Sequence, residues 1–263
     1  MTMPMNLVLV RHGQSEGNVA FNLLKKEDDS LFTPEFAARH TSLWRLTNKG
    51  IEQAKIAGNW IKNEIGIVFD KFYVSEYVRA LETAVHLELP NANWFVEFYV
   101  RERDYGDLDS FSLEERKEYF KANHRSMDKF YWSPPNGESI AQLCLRVDRF
   151  LHTLHRECVG KSVIVVCHGD LMWAFRIRLE RIGPRLYEEL RTSGEKIYNG
   201  QIIHYTRQNP SDGNVIDNIG WVKSVCPNNL HLTSNQWENI NRRSFSNEDL
   251  SLLVNSVERI INQ

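Results

Sequence analysis

Arg11 and His12 stand where a continuous apolar run, Leu7–Val10, stops, and Gly13 follows them directly. The same ending recurs 156 positions later, where the run Ser162-Val-Ile-Val-Val-Cys167 terminates on His168-Gly169. Between the two, Arg79 lies four residues after Ser75, at which the short run Phe72–Val74 ends. Glu102 sits in a charged loop, Val100-Arg-Glu-Arg-Asp-Tyr-Gly-Asp-Leu. Together these side chains suit work on a phosphoryl group. Two guanidinium forks can hold most of its oxygens by charge-assisted bonds. A neutral imidazole beside them can attack phosphorus, and the nearby cations favour the neutral form by lowering its pKa. A second imidazole, when protonated, can donate to charge developing on the equatorial oxygens. A carboxyl can protonate the departing oxygen and later take a proton from the attacking water. A relay through phosphohistidine splits one difficult step into two easier ones. Each residue alone has a plainer reading: a structural histidine, a surface salt bridge, a solvated acidic loop. The joint pattern of two buried runs, each ending on histidine-glycine, is what points to a site.

Apolar runs without alternation suit strands buried on both faces, as in parallel sheets, whose ligands bind beyond the carboxyl ends. If the two runs are neighbours, His12 and His168 meet at the crest of one sheet, which argues for one domain. Thr47 caps an expected helix to about Glu64, with Ile51, Ala54, Ala57, Gly58 and Ile61 at helical spacing. A strand over Phe72–Val74 precedes a helix that Arg79 opens, where a basic side chain runs against the helix dipole and wants an anion. Further expected elements are a strand at Trp94–Phe98, a helix over Leu113–Tyr131, a stop at Ser133-Pro-Pro-Asn-Gly and a helix from Ser139 to about Cys158. A helix over Leu171–Leu179, a strand at Gln201–Thr206 and a last helix from Ser246 to Ile261 complete the reading. The expected organisation is a catalytic domain over residues 1–206, with a lid or insertion at 19–45 that carries Phe21, Phe32, Phe36 and Trp44. Residues 207–263 form an extension packed on the same domain, with no role readable from its residues.

With 263 residues, 42% of them hydrophobic, the chain can bury a core without disulfides or metals. A net charge of −2 gives no electrostatic reason to expect nucleic acid or an anionic membrane as partner. Cys144, Cys158, Cys167 and Cys226 show no Cys-x-x-Cys or zinc-like spacing and read as buried thiols of a reducing compartment. Met1–Asn6 lacks a basic n-region, and no stretch has the roughly 18 apolar residues of a membrane span, so the expected location is cytoplasmic.

Arg11-His12-Gly13-Gln14-Ser15-Glu16-Gly17-Asn18 resembles the signature of the histidine phosphatase superfamily, the phosphoglycerate mutase-like proteins. The likeness continues through Leu46-Thr47-x-x-Gly50-x-x-Gln53-Ala54, Ser75-x-x-x-Arg79-Ala80-x-x-Thr83-Ala84, Arg101-Glu102-Arg103-Asp104-Tyr105-Gly106, Pro135-Asn136-Gly137-Glu138-Ser139 and His168-Gly169. It covers roughly residues 5 to 206, and the ordered set is far more specific than any one motif. The resemblance implies a three-layer α/β/α sandwich with a mainly parallel central sheet. It implies His12 as the phosphorylated nucleophile, Arg11, Arg79 and His168 as the phosphate pocket, Ser15 and Asn18 at its edge, and Glu102 as general acid. No metal and no organic cofactor are implied. Two departures bear on activity. The mutases follow the acidic loop with a Gly-Leu-Asn-Lys type segment, and here the chain reads Asp107-Leu-Asp-Ser-Phe-Ser. The acid phosphatase branch places Asp directly after the second histidine, and here Gly169 precedes Asp170. Asp170 and Asp104 are therefore fallback acids to Glu102.

The reading is a metal-independent phosphatase acting on a small phosphate monoester. The alternatives are a phosphoglycerate mutase-type transfer, a non-catalytic phospholigand-binding protein and, more weakly, a metallohydrolase. Expected substrate contacts lie in Phe21–Trp44, at Arg101 and Arg103, and around Arg116, Lys121 and Arg125. In the free site the pocket's cations are expected to hold Glu102 ionised until a bound phosphate dianion offsets them.

Overall fold

The computed structural model describes residues 2–109, 111–123, 128–241 and 244–260. Its first strand, β1 (Asn6–Arg11), lies beside β4 (Ser162–Cys167) in parallel register from Asn6↔Ser162 to Arg11↔Cys167. On the far side of β4 come β2 (Lys71–Val74) and β3 (Trp94–Val96), also parallel. On the far side of β1, β5 (Ile202–Thr206), β6 (Trp221–Val225) and β7 (Trp237–Asn239) add antiparallel ladders. The seven-stranded order is β3-β2-β4-β1-β5-β6-β7. The chain beyond residue 206 thus continues the same sheet.

Side chains of successive strand residues point to opposite faces, so each apolar run feeds two cores. Leu7, Leu9, Val163 and Val165 meet Leu143, Val147, Phe150, Met172 and Phe175 from α6 (Ile140–Glu157) and α7 (Gly169–Leu179). Val8, Val10, Ile164 and Val166 meet Ala57, Ala80 and Ala84 from α3 (Asn48–Trp60) and α4 (Val78–His86). Helices on both faces make the expected three-layer α/β/α sandwich. Leu7–Val10 and Val163–Cys167 are fully buried, each large side chain contributing roughly 2 kcal/mol of apolar burial. All four cysteines are buried and unpaired. Among the described residues no helix is long and apolar enough to cross a membrane.

Several boundaries differ from the sequence expectation for local reasons. The strand expected at 94–98 stops at Val96, because the Glu97 carboxylate accepts the Tyr99 N–H (3.0 Å) and turns the chain. The helix expected over 113–131 is α5 (Leu113–Asn123); at 128–131 the Asp128 carboxylate accepts the Phe130 and Tyr131 N–H groups (2.7 and 2.6 Å), a local turn that competes with helix. Arg125 lies outside the described residues. α3 passes at Ile61–Ile65 into a π-turn that Gly66 closes in the left-handed region (φ 64°). The final helix is α9 (Asn247–Asn255), capped by Ser246, rather than a helix to Ile261, which lies outside the described residues. Within 19–45 stand the end of α1 (Glu16–Leu24), α2 (Pro34–Ala38) and an aromatic cluster in which Phe36 stacks on the buried Trp44 (5.1 Å). The last helix to be placed, α8 (Pro184–Thr192), follows α7.

One close backbone approach sets the loop after β1. A methyl group at Gly13 would overlap the Gly50 carbonyl at the start of α3, and one at Gly50 would overlap the Gln14 carbonyl. Gly13→Ala is expected to lower stability by about 2 kcal/mol or more, read as a fall of several degrees in Tm. Gly183→Ser, where nothing lies within 4 Å of the new Cβ, serves as the neutral control. An unchanged Tm for Gly13→Ala would mean that the loop does not need this approach.

Candidate active site

The β1–β4 register carries His12 and His168 past the ends of adjacent strands, with ring centroids 5.1 Å apart. Both are buried. His12 Nδ1 lies 2.7 Å from the Gly13 carbonyl oxygen, which can only accept, so the proton is on Nδ1 and Nε2 carries a lone pair. That lone pair receives Arg79 Nε–H at 3.2 Å. Arg79, in the first turn of α4, also donates to the Thr41 carbonyl (2.7 Å) and lies over the Tyr77 ring. Arg11 donates to the Ile197 carbonyl (2.6 Å), while its buried Nε has no partner among the described residues. Gly169 leaves room for this guanidinium: a Cβ there would stand 3.3 Å from Arg11 Nε.

Burial first, then Arg79 and Arg11, holds His12 well below the ordinary imidazole pKa. Burial, Arg79, His12 and Arg11 do the same to His168. The sequence left the protonation of the second histidine open; in the free site both rings are held neutral, and desolvation is the larger cause.

For Glu102 the direction is the reverse of the expectation. Burial and the neighbouring Asp170 raise its pKa, outweighing the Arg103 N–H, Arg79 and Arg11, which lower it. Its Oε1 accepts from the N–H groups of Arg103 (3.0 Å) and Leu171 (3.3 Å), capping α7 in place of a side chain of that helix. Its Oε2 has no hydrogen bond among the described residues and is the oxygen free to carry a proton. The fallback acids are otherwise engaged. Asp104 accepts the Gly106 N–H (2.8 Å), and Asp170 accepts the Tyr105 hydroxyl (2.6 Å). A buried clamp holds the Glu102 loop: Arg146 on α6 donates to the carbonyls of Tyr99, Arg101 and Glu102 (2.8, 2.8 and 3.1 Å) and pairs with Glu138 (2.8 Å).

Ser15 and Asn18 form a capping box at the start of α1. The Ser15 oxygen accepts the Asn18 N–H (3.3 Å), so Ser15, a residue type that suits a helix start, begins that helix as well as lining the cavity. Asn18 Oδ1 accepts from Ser15 N–H and from Asn199 Nδ2 (2.9 Å), leaving its own amide hydrogens for the cavity it lines. Asn199, Arg146 and Asp109 were not singled out from sequence. Asn199 also binds the His12 carbonyl (3.1 Å), and its only sequence signal is the Tyr198-Asn199-Gly200 turn before β5. Asp109 lines the cavity and is pushed up to about 6, chiefly by burial, against the pull of Arg116.

The cavity holds about 920 Å³ and reaches from His12 to walls bearing Phe21, Trp44, Phe120, Trp173 and Arg116. Arg103 and Arg116 line it as expected; Arg101 instead stacks on Phe98 (4.2 Å), and Lys121 does not line it. Among the described residues no group of three His, Cys, Asp or Glu side chains is placed to hold a metal ion.

The family model of the histidine phosphatase superfamily (branch 1) matches residues 7–209. The 2,3-bisphosphoglycerate-dependent phosphoglycerate mutase of Brucella melitensis biotype 2 is 34% identical over 212 residues, 74% of this chain and 92% of that protein. The mutase of the same description from Afipia carboxidovorans is 34% identical over 211 residues, 73% and 90% of the two chains. Among solved structures, mycobacterial glucosyl-3-phosphoglycerate phosphatase superimposes with a TM-score of 0.60 at 19% identity, over 89% of this chain and 96% of that one. The alpha-ribazole phosphatase from Shigella flexneri does so with a TM-score of 0.59 at 21% identity, over 82% and 96%.

The histidine shifts set a pH dependence of stability. A folded pKa below the unfolded value of about 6.5 means that the unfolded chain binds the extra proton. Stability is then full above about pH 6.5 and falls as pH drops below it, by up to about 1.4 kcal/mol per pH unit for each ring. Urea unfolding at pH 7.5 and 5.5 is expected to show that loss in the wild type and a smaller one in the His12→Asn/His168→Asn variant. Some slope remains in the variant from His204, which burial lowers to about 3. Equal slopes would mean that His12 and His168 take up protons in the folded protein as readily as in the unfolded chain.

Proposed function

The chain belongs to the histidine phosphatase superfamily, and from that membership we propose that it is a phosphatase hydrolysing a small phosphate monoester through a phosphohistidine on His12. The observation that carries the reading is the Nε2 lone pair of a buried, neutral His12, aimed at Arg79 by the Nδ1–H bond to Gly13. Arg11 and Arg79 hold the phosphoryl oxygens, with Asn18 and His168 beside them. His12 Nε2 forms a bond to phosphorus as the bond to the alcohol oxygen breaks, and Glu102 Oε2 gives that oxygen its proton. The Gly13 carbonyl, still accepting from Nδ1–H, stabilises the cationic phosphoimidazole. Water then attacks phosphorus, Glu102 takes its proton, and the P–N bond electrons return to Nε2.

Two observations support hydrolysis over transfer within a sugar acid. Asp109 stands in the cavity wall within the segment where the mutases carry Gly-Leu-Asn-Lys, and a carboxylate there disfavours a second acidic group. The cavity is also far larger than a three-carbon acid requires. The second reading, mutase activity, is favoured by the 34% identity to phosphoglycerate mutases.

Phosphate release from an aryl phosphate and a panel of metabolite monoesters, with chelator present, is expected for the wild type and absent for His12→Ala. No release, with interconversion of 2- and 3-phosphoglycerate instead, would replace the phosphatase reading with the mutase one. The reactive form has His12 neutral and Glu102 protonated, so kcat/KM should fall at acid pH as His12 gains a proton and at alkaline pH as Glu102 loses one. Glu102→Gln is expected to cost roughly 10²–10³-fold in kcat on alkyl phosphates and much less on aryl phosphates, whose leaving groups need little protonation. An equal loss on both substrate types would remove Glu102 as the acid.

A further inference from the structure

Ser75, at the end of β2, takes no part in the scheme above. We propose that it is a positioning residue: its hydroxyl donates to His168 Nε2, fixing the proton of that ring on Nδ1, so that His168 offers a donor to the phosphoryl group while uncharged. The inference rests on the phosphoryl-transfer reading, but its first test does not.

Ser75 is fully buried, and its N–H is anchored to the Val166 carbonyl (3.0 Å). Its Oγ lies 2.7 Å from His168 Nε2 and accepts the Tyr77 N–H at 3.3 Å. A hydroxyl has one hydrogen and two lone pairs. If Nε2–H donated to Ser75, both lone pairs would be filled. The hydroxyl hydrogen would then lack an acceptor among the described residues, and Nδ1 would present a bare lone pair. If Ser75 donates, the hydroxyl is satisfied and only one group, Nδ1–H, is left without a protein partner. His168 Nδ1 is indeed buried with no partner among the described residues. The second arrangement leaves fewer buried polar groups unpaired, which is the general rule for protein interiors. It is also the useful one, because phosphoryl oxygens only accept. The groups that face His168 are His12 and Tyr77, whose rings pack edge-on at 5.1 Å each, with Arg79, Arg11 and Arg146 beyond. Three guanidinium groups and burial oppose a second proton on the ring, so an imidazolium is not the source of the donor in the free site.

Long-range ¹H–¹⁵N correlation spectra of histidine-labelled protein at neutral pH, with the His168 signals identified by their loss in His168→Gln, read the tautomer directly. Protonated Nδ1 and unprotonated Nε2 are expected. In Ser75→Ala a population with Nε2–H should appear, and kcat should fall about 10²-fold, the cost typical of one lost donor to a developing oxyanion, with KM little changed. Ser75→Thr keeps the hydroxyl and should restore both spectrum and kcat. Should Ser75→Ala not fold, Ser75→Cys, with its weak S–H donor, takes its place in the same comparison. Protonated Nε2 in the wild type would overturn the proposal, as would a Ser75→Ala spectrum and kcat unchanged from wild type. A wild type that turns over no phosphate ester would overturn the functional reading instead, and its spectrum would still decide the tautomer.

Discussion

The parallel ladder between β1 and β4 is the constraint on which the site depends. Both strands are buried on both faces, so a slip of one residue would exchange every side chain between the two cores. Leu7 and Leu9 would leave the α6–α7 side and meet the small residues Ala57, Ala80 and Ala84. The packing of two layers therefore holds one register, and that register alone decides that His12 stands beside His168. The neighbouring ladder extends the logic: Val74↔Val166 brings Ser75 against His168, and α4 then turns Arg79 onto His12.

The same burial sets the electrostatics. A low-dielectric site disfavours whichever form of a group is charged, so it lowers the histidines and raises the carboxyl at once. The guanidinium groups reinforce the first shift and oppose the second, and in both cases desolvation is the larger influence. Burial thus favours an unprotonated imidazole beside a carboxyl that holds its proton more tightly than usual, the pairing that the proposed covalent phosphoryl transfer calls for. The Arg146–Glu138 pair has a different task. Its arginine is buried, and the hydrogen bonds from that side chain to the carbonyls of Tyr99, Arg101 and Glu102 hold the Glu102 loop rather than any substrate.

Legibility from sequence followed the strength of the local signal. β1 and β4 were readable because an unbroken apolar run has few other fates in a chain of this composition. The turn at 128–131 was not, because Asp128 competes with helix through hydrogen bonds that periodicity does not register. β6 and β7 escaped notice because the half-buried Trp221–Val225 mixes Lys and Ser with apolar residues and gains its identity from pairing with β5. Arg146 lies among the apolar positions of α6, where an arginine reads as surface charge until the carbonyls that it meets are known.

The residues themselves carried the list of chemical parts: His12, His168, Arg11, Arg79 and Glu102, each with its type and each near the end of an element. They carried too the three-layer architecture, because continuous apolar strands between amphipathic helices have to be covered on both sides. Which atoms are placed for the proposed chemistry was decided only by the tertiary structure. The proton of His12 is placed by the Gly13 carbonyl, the free oxygen of Glu102 by the two N–H groups on its partner oxygen, and both pKa directions by burial. These depend on distances between groups far apart in the chain and on the exclusion of water, and neither quantity exists until the layers have closed.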